Sequence, residues 1–182
     1  MRRSIVSLMV LIVTLAFALP SAMAPVAAQA PTSTPESEEA VTGAIGETIS
    51  YISESGSEIA TLTVLQMVRP WDEFDEFYDP QTGTEYVAFE IEVTHLGRRG
   101  ELVLRGFDFR LQDVDGFLLS QAWTNSAEGA DLVPSEDDVA IASGDTATIV
   151  VVFQVIEGID LSNLYWLPDY DRMITLVDLT GI

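Results

Sequence analysis

Glu85-Tyr86-Val87-Ala88-Phe89-Glu90-Ile91-Glu92-Val93-Thr94-His95 decides the fold of this chain. Val87, Phe89, Ile91 and Val93 fall on every second residue, with Tyr86, Ala88, Glu90, Glu92 and Thr94 between them. A repeat of two sets these groups on opposite sides of an extended strand. On a helix Glu90 and Glu92 would lie on roughly opposite sides, and the four large apolar residues would scatter around the axis. The stretch therefore reads as a strand with one buried face and one wet face.

Working outward, Asp145 to Val155 repeats the pattern, with Ala147, Ile149, Val151, Phe153 and Val155 on one side and Thr146, Thr148, Val150 and Val152 on the other. Its β-branched residues lose rotamer freedom in a helix and pack well on a pleated surface. Weaker strands are expected at Glu47–Ile52, Ile59–Val68, Leu102–Leu104, Phe107–Gln112, Phe117–Ala122, Val139–Ala142, Leu164–Leu167 and Met173–Leu179. Gly56, Gly83, Gly97, Gly116 and Gly144 are expected to supply positive φ at the reversals, with Asp115-Gly116 the strongest hairpin signal. Many short strands at regular spacing predict an all-β fold, an immunoglobulin-like antiparallel sandwich of two sheets. The chain has no cysteine, so no disulfide can staple it. Each buried Val, Leu, Ile or Phe contributes about 1.5 to 3 kcal/mol, and the core alone must hold the domain.

The order and spacing of three blocks resemble a known family. They are Gly46-Glu47-Thr48-Ile49 followed by Thr61-Leu62-Thr63-Val64 and the Glu85 strand, then Phe107 to Gly116, then Ser143-Gly144-Asp145-Thr146-Ala147 leading to Val152-Phe153-Gln154-Val155. The chain after Gly43 resembles an uncharacterised family of exported bacterial domains, grouped with the immunoprotective extracellular antigen of immunoglobulin-like fold. It departs from that pattern at His95-Leu96 and in the acidic aromatic insertion after Pro70. The resemblance implies fold and export, and it transfers no functional residues.

Met1-Arg2-Arg3, the apolar run from Ile5 to Leu19, and the small residues that follow Pro20 read as a signal peptide. The run is about fifteen residues, short of the roughly twenty that span a bilayer. Cleavage is expected after Ala28, with Ala30 as the alternative, giving a signal peptide over 1–28. An acidic linker rich in Pro, Ser and Thr over 29–42 and a sandwich domain over 43–182 follow. The protein is expected to be secreted or associated with the cell envelope, with no stable membrane span after cleavage.

All eight basic residues are Arg, and the whole chain carries a formal charge of −21. Arg2 and Arg3 leave with the leader, so six positive charges face 29 negative ones and the mature value is −23. Such a surface repels phosphate, which argues against nucleic-acid partners. One histidine and no cysteine cannot build a His/Cys zinc site or a thiol nucleophile, and no Gly-x-Ser-x-Gly elbow or glycine-rich phosphate loop is present. No catalytic residue, metal ligand or cofactor is assigned, and the chain is read as a non-enzyme. Asp113 and Asp115, with Asp131, Glu136, Asp137 and Asp138 if the loops converge, could offer oxygen ligands to calcium, although a hairpin turn explains the first two. Arg98-Arg99 is expected to pair with neighbouring carboxylates.

Trp71 to Pro80 packs five acids and four aromatics into ten residues. Trp71, Asp72, Phe74, Asp75, Phe77 and Tyr78 are the candidate partner-binding residues, with aromatics as anchors and carboxylates selecting a cationic or metal-bridged partner. The competing reading folds Trp71, Phe74 and Phe77 back as a cap on the end of the sandwich, through a short helical turn. The expected function is a protein- or surface-binding module that uses its end loops. The alternative is a structural acidic domain that binds only ions such as calcium.

Overall fold

The computed structural model describes residues 43–169 and 171–182. The expected signal peptide and linker, 1–28 and 29–42, lie outside the described residues. The strands are β1 (Thr48–Ile52), β2 (Glu58–Val68), β3 (Thr84–His95), β4 (Glu101–Leu104), β5 (Phe109–Asp113), β6 (Leu118–Ser120), β7 (Val139–Ala142), β8 (Thr146–Ile156), β9 (Leu161–Asp169) and β10 (Arg172–Asp178). One sheet runs β1-β2-β3-β8, the other β10-β9-β5-β6, and β4 and β7 form a separate two-stranded ribbon. All these pairings are antiparallel. This is the immunoglobulin-like two-sheet sandwich that the alternating sequence predicts, held without a disulfide.

β3 and β8 form the spine, paired without a break from Thr84↔Ile156 to Thr94↔Thr146. Val87, Phe89, Ile91 and Val93 meet Ile149, Val151, Phe153 and Val155 on the inner face, where they pack with Phe109, Leu111 and Trp166 of the second sheet. Bulges let β9 and β10 feed this core twice in close succession. Gln112 pairs with Asn163 and Asp113 with Leu161, so Ser162 is extra and both Leu161 and Leu164 turn inward. On β10, Thr175 pairs with Tyr165 and Val177 with Leu164, and Leu176 and Val177 are both buried.

The expectation of one wet face on the Glu85 strand needs correction. Tyr86 and Ala88 point away from the main core and are buried nonetheless, in a second cluster with Trp71, Leu132, Val150 and Val152. Only beyond Ala88 does the outer face open, at half-buried Glu90 and exposed Glu92. The far side of β8 is occupied as well. Ala122 N donates to Val152 O at 2.8 Å, Ser135 N to Val150 O at 3.0 Å, and Val150 N to Ser135 Oγ at 3.1 Å.

Two glycines show different needs. Gly116 has φ 88° in the β5–β6 turn, where Gly116 N donates to Asp113 O and Phe117 N to Asp113 Oδ1. Gly97 is not among the positive-φ glycines, contrary to expectation. Its small size matters instead, since a Cβ there would stand 2.4 Å from His95 Nε2.

Candidate functional site

The segment after β2 leaves the sheet at the cis Arg69–Pro70 bond and lies across the outer face of β3 and β8, rather than over the end of the sandwich. Arg69 anchors its start, donating from Nε at 2.9 Å and Nη2 at 2.7 Å to Glu85 Oε1, which also accepts from Gly158 N at 3.0 Å. Burial alone would push the Glu85 carboxyl up. The Gly158 N–H, the Arg69 hydrogen bonds and the Arg69 charge outweigh it and leave the group below its ordinary range.

Tyr86 ties both ends of the loop, because its carbonyl accepts from Trp71 N at 2.8 Å and its hydroxyl donates to Tyr78 O at 2.9 Å. Trp71, Phe74 and Tyr86 meet edge to face, with ring centroids 5.4 to 6.2 Å apart. Trp71 is only 1% exposed. Its indole N–H has no partner, so packing and not a hydrogen bond holds it there.

A second loop, after β6, runs alongside. Ala127 N donates to Glu73 O at 2.7 Å, Asp75 N to Asn125 O at 2.9 Å, and Phe74 bridges Ser126 in antiparallel sense. The Glu73 carboxylate accepts from Asp131 N at 3.0 Å and Leu132 N at 3.1 Å. Asp75 Oδ1 accepts from Phe77 N, capping the short turn Glu76–Tyr78. The antiparallel register runs the stretch that carries Phe77 alongside the stretch that carries Trp123, and both rings are left in water. Phe77 is 85% exposed and Trp123 95%.

The sequence-derived residues thus divide. Trp71 is buried, Phe74 is half-buried in the aromatic cluster, and Asp75 is used by the turn. Asp72, Phe77 and Tyr78 face solvent. Trp123 was missed, since it sits alone in a stretch of small polar residues, and its signal was an aromatic with no apolar neighbour at strand spacing. The surface around it is acidic, with no Lys or Arg between Pro70 and Gly97 or between Leu111 and Asp171. Asp72, Glu76 and Asp79 on the first loop and Glu128 and Asp131 on the second are exposed.

No protein-family model matches the chain and no curated protein does. Among solved structures, the secreted protein MPT63 of Mycobacterium tuberculosis superposes with a TM-score of 0.53 at 14% identity, over 78% of this chain and 99% of that one. The Bacillus subtilis protein ycdA, a candidate lipoprotein, matches with a TM-score of 0.50 at 16% identity, over 68% of this chain and 37% of that one. The likeness is one of architecture.

Elsewhere the polar groups are largely engaged with one another. His95 is buried, and Nδ1 donates to Ile141 O at 3.0 Å, which places the proton on that nitrogen. Among the described residues no three His, Asp or Glu side chains converge as a metal site would need, so Asp113 and Asp115 are not joined by Asp131 or by Glu136 to Asp138. Asp138 instead pairs with Arg105 at 3.2 Å. The expected pairing of Arg98 and Arg99 with carboxylates is not formed among the described residues, where the ion pairs are those of Arg69 and Arg105. An open depression of about 620 Å³ lies by Tyr51, Glu54, Asp169 and Asp171. Arg172 also lines it, its guanidinium 4.9 Å from the Tyr51 ring centroid and donating to Ile52 O. Among the described residues no helix is long and apolar enough to cross a membrane.

Proposed function

We propose that the chain is an exported, non-catalytic immunoglobulin-like domain that binds a protein or cell-surface ligand through the paired loops 70–80 and 121–132. The observation that carries this reading is the near-complete exposure of Phe77 and Trp123 on two paired loops whose shared contacts are buried and hydrogen-bonded. Large exposed rings on a rigid support are costly to leave in water and are typical binding anchors. Trp71, Phe74, Glu73 and Asp75 position them, while Asp72, Phe77, Tyr78 and Trp123 form the contact surface. The leader sequence supports export. The burial of the one histidine supports a non-catalytic role. A purely structural acidic domain with only ionic ligands accounts for the charge and leaves the two rings unexplained.

The test is binding of the purified mature domain to envelope preparations of the producing cell, comparing wild type with the double variant Phe77→Ala/Trp123→Ala. Binding lost in the variant, with the unfolding midpoint unchanged, is the expected result. Equal binding by both proteins overturns the proposal. Mass spectrometry of the exported protein is expected to show a chain beginning at Gln29.

A further inference from the structure

We infer that the partner held at this loop pair is a cationic, arginine-bearing protein segment, its guanidinium groups stacked on Phe77 and Trp123 and neutralised by Asp72, Glu76 and Asp79. The inference rests on the loop pair being a binding site. Three observations select the partner's chemistry.

The first is the division of labour among the loop carboxylates. Glu73 and Asp75 are consumed by backbone N–H groups, whereas Asp72, Glu76 and Asp79 are exposed on the loop that carries Phe77. The second is sign. With no Lys or Arg from Pro70 to Gly97 or from Leu111 to Asp171, both loops project a field of one sign, which draws cations and repels phosphate and anionic lipid headgroups. The third is the anchors themselves. The face of an aromatic ring is the negative end of its quadrupole and attracts a cation above it. Arginine suits the site better than lysine, being planar, weakly hydrated and able to stack on a ring while its edge reaches a carboxylate. Because the loop base is fixed by the Trp71 cluster and the Glu73 hydrogen bonds, little ordering entropy opposes binding.

Trp123 supplies its own reporter, since Trp71 and Trp166 are each 1% exposed and Trp123 is the tryptophan in water. The probes are nona-arginine and nona-lysine peptides, titrated by tryptophan fluorescence and by calorimetry at about 0.15 M and 0.5 M salt, where screening separates contact from distant attraction. The expected result is a fluorescence change on nona-arginine binding, with nona-lysine several-fold weaker. Phe77→Ala and Trp123→Ala each lower affinity for nona-arginine roughly tenfold at the higher salt, about 1.4 kcal/mol. The triple variant Asp72→Asn/Glu76→Gln/Asp79→Asn weakens binding and flattens its salt dependence.

Equal nona-arginine binding by wild type and both ring variants means diffuse charge alone attracts the peptide, and it overturns the inference. So does a Trp123 response to phosphatidylcholine vesicles in preference to the peptide, which assigns the rings to a lipid surface. The envelope experiment separates the two levels. Envelope binding lost in the ring variants while their nona-arginine affinity stays at the wild-type value refutes the cationic partner and leaves the binding site standing. Retention of both refutes both.

Discussion

The two halves of β3 share one alternating sequence and meet different surroundings. Around Tyr86 and Ala88 the outer face lies beneath Trp71 and Leu132 and is as dry as the inner one. Around Glu90 and Glu92 it meets water, and Gln66 Nε2 donates to Glu90 at 2.8 Å. The inner face is uniform along the strand, with Val87, Phe89, Ile91 and Val93 all at 0% exposure. Alternation therefore settles which side chains share a face, while the loops that return over the sheet settle whether that face is dry.

Removing the cover from the first half breaks the contrast most directly. Trp71→Ala is expected to cost about 3–5 kcal/mol by urea denaturation, the loss typical of a fully buried large aromatic. Trp71→Phe is expected to cost about 1 kcal/mol or less, since it keeps a ring and removes an indole N–H that has no partner. A loss well under 1 kcal/mol for the alanine variant would mean the two halves of the strand are equally independent of their loops.

The hydrogen bonds that bring Leu132 onto the sheet come next. Glu73→Ala strands the N–H groups of Asp131 and Leu132 and is expected to cost about 2 kcal/mol. Faster amide exchange at Leu132, with the inner-face amides of Val87 and Phe89 unchanged, is the accompanying signature.

Glu85, where the covered half begins, gives a smaller effect with a pH sign. Its carboxyl lies below the ordinary glutamate value of 4.5, so its contribution is fully present above that value and is lost as pH falls through the folded-state pKa. Glu85→Gln is expected to cost about 1 kcal/mol at pH 7, and the gap between variant and wild type narrows as pH falls below 4.5 and through the folded-state pKa. A gap that stays constant from pH 7 down the whole acid limb would show that the side chain's shape matters and not its charge. Smallest of all, Glu92→Gln on the wet half is expected to stay within about 0.5 kcal/mol of wild type.

Much of this fold was legible because β structure writes a period-two signal wherever one face is apolar. All ten expected strands appear at or near their expected places. What escaped the sequence has specific causes. β9 begins at Leu161, ahead of the expected Leu164, because the bulge at Ser162 shifts the alternation and hides the strand's first turn. The dry outer face at Tyr86 and Ala88 depends on Trp71 and Leu132, far apart in sequence, and no local pattern encodes that meeting. Gly97 looked like a turn glycine and is instead the roof over His95. In the candidate site, composition singled out residues 71–80, yet it could not divide Trp71 from Phe77, because a tryptophan that anchors a loop and a phenylalanine that projects from it read alike. Trp123 entered only through the pairing of Glu73 with Ala127 and of Asp75 with Asn125.

Ile149-Val150-Val151-Val152-Phe153-Gln154-Val155 is the most fibril-prone stretch of the chain, strongly β-forming, without charge and without proline. In the native molecule β3 takes one side of it, and Ala122 and Ser135 occupy the middle of the other edge through Val152 and Val150, which obstructs a second molecule from pairing there. The polypeptide from Gln121 to Ser135 thus guards that edge. Proteolytic nicking there would bare a sticky ribbon, and the damaged protein would be driven toward ordered aggregates before it lost the rest of its structure.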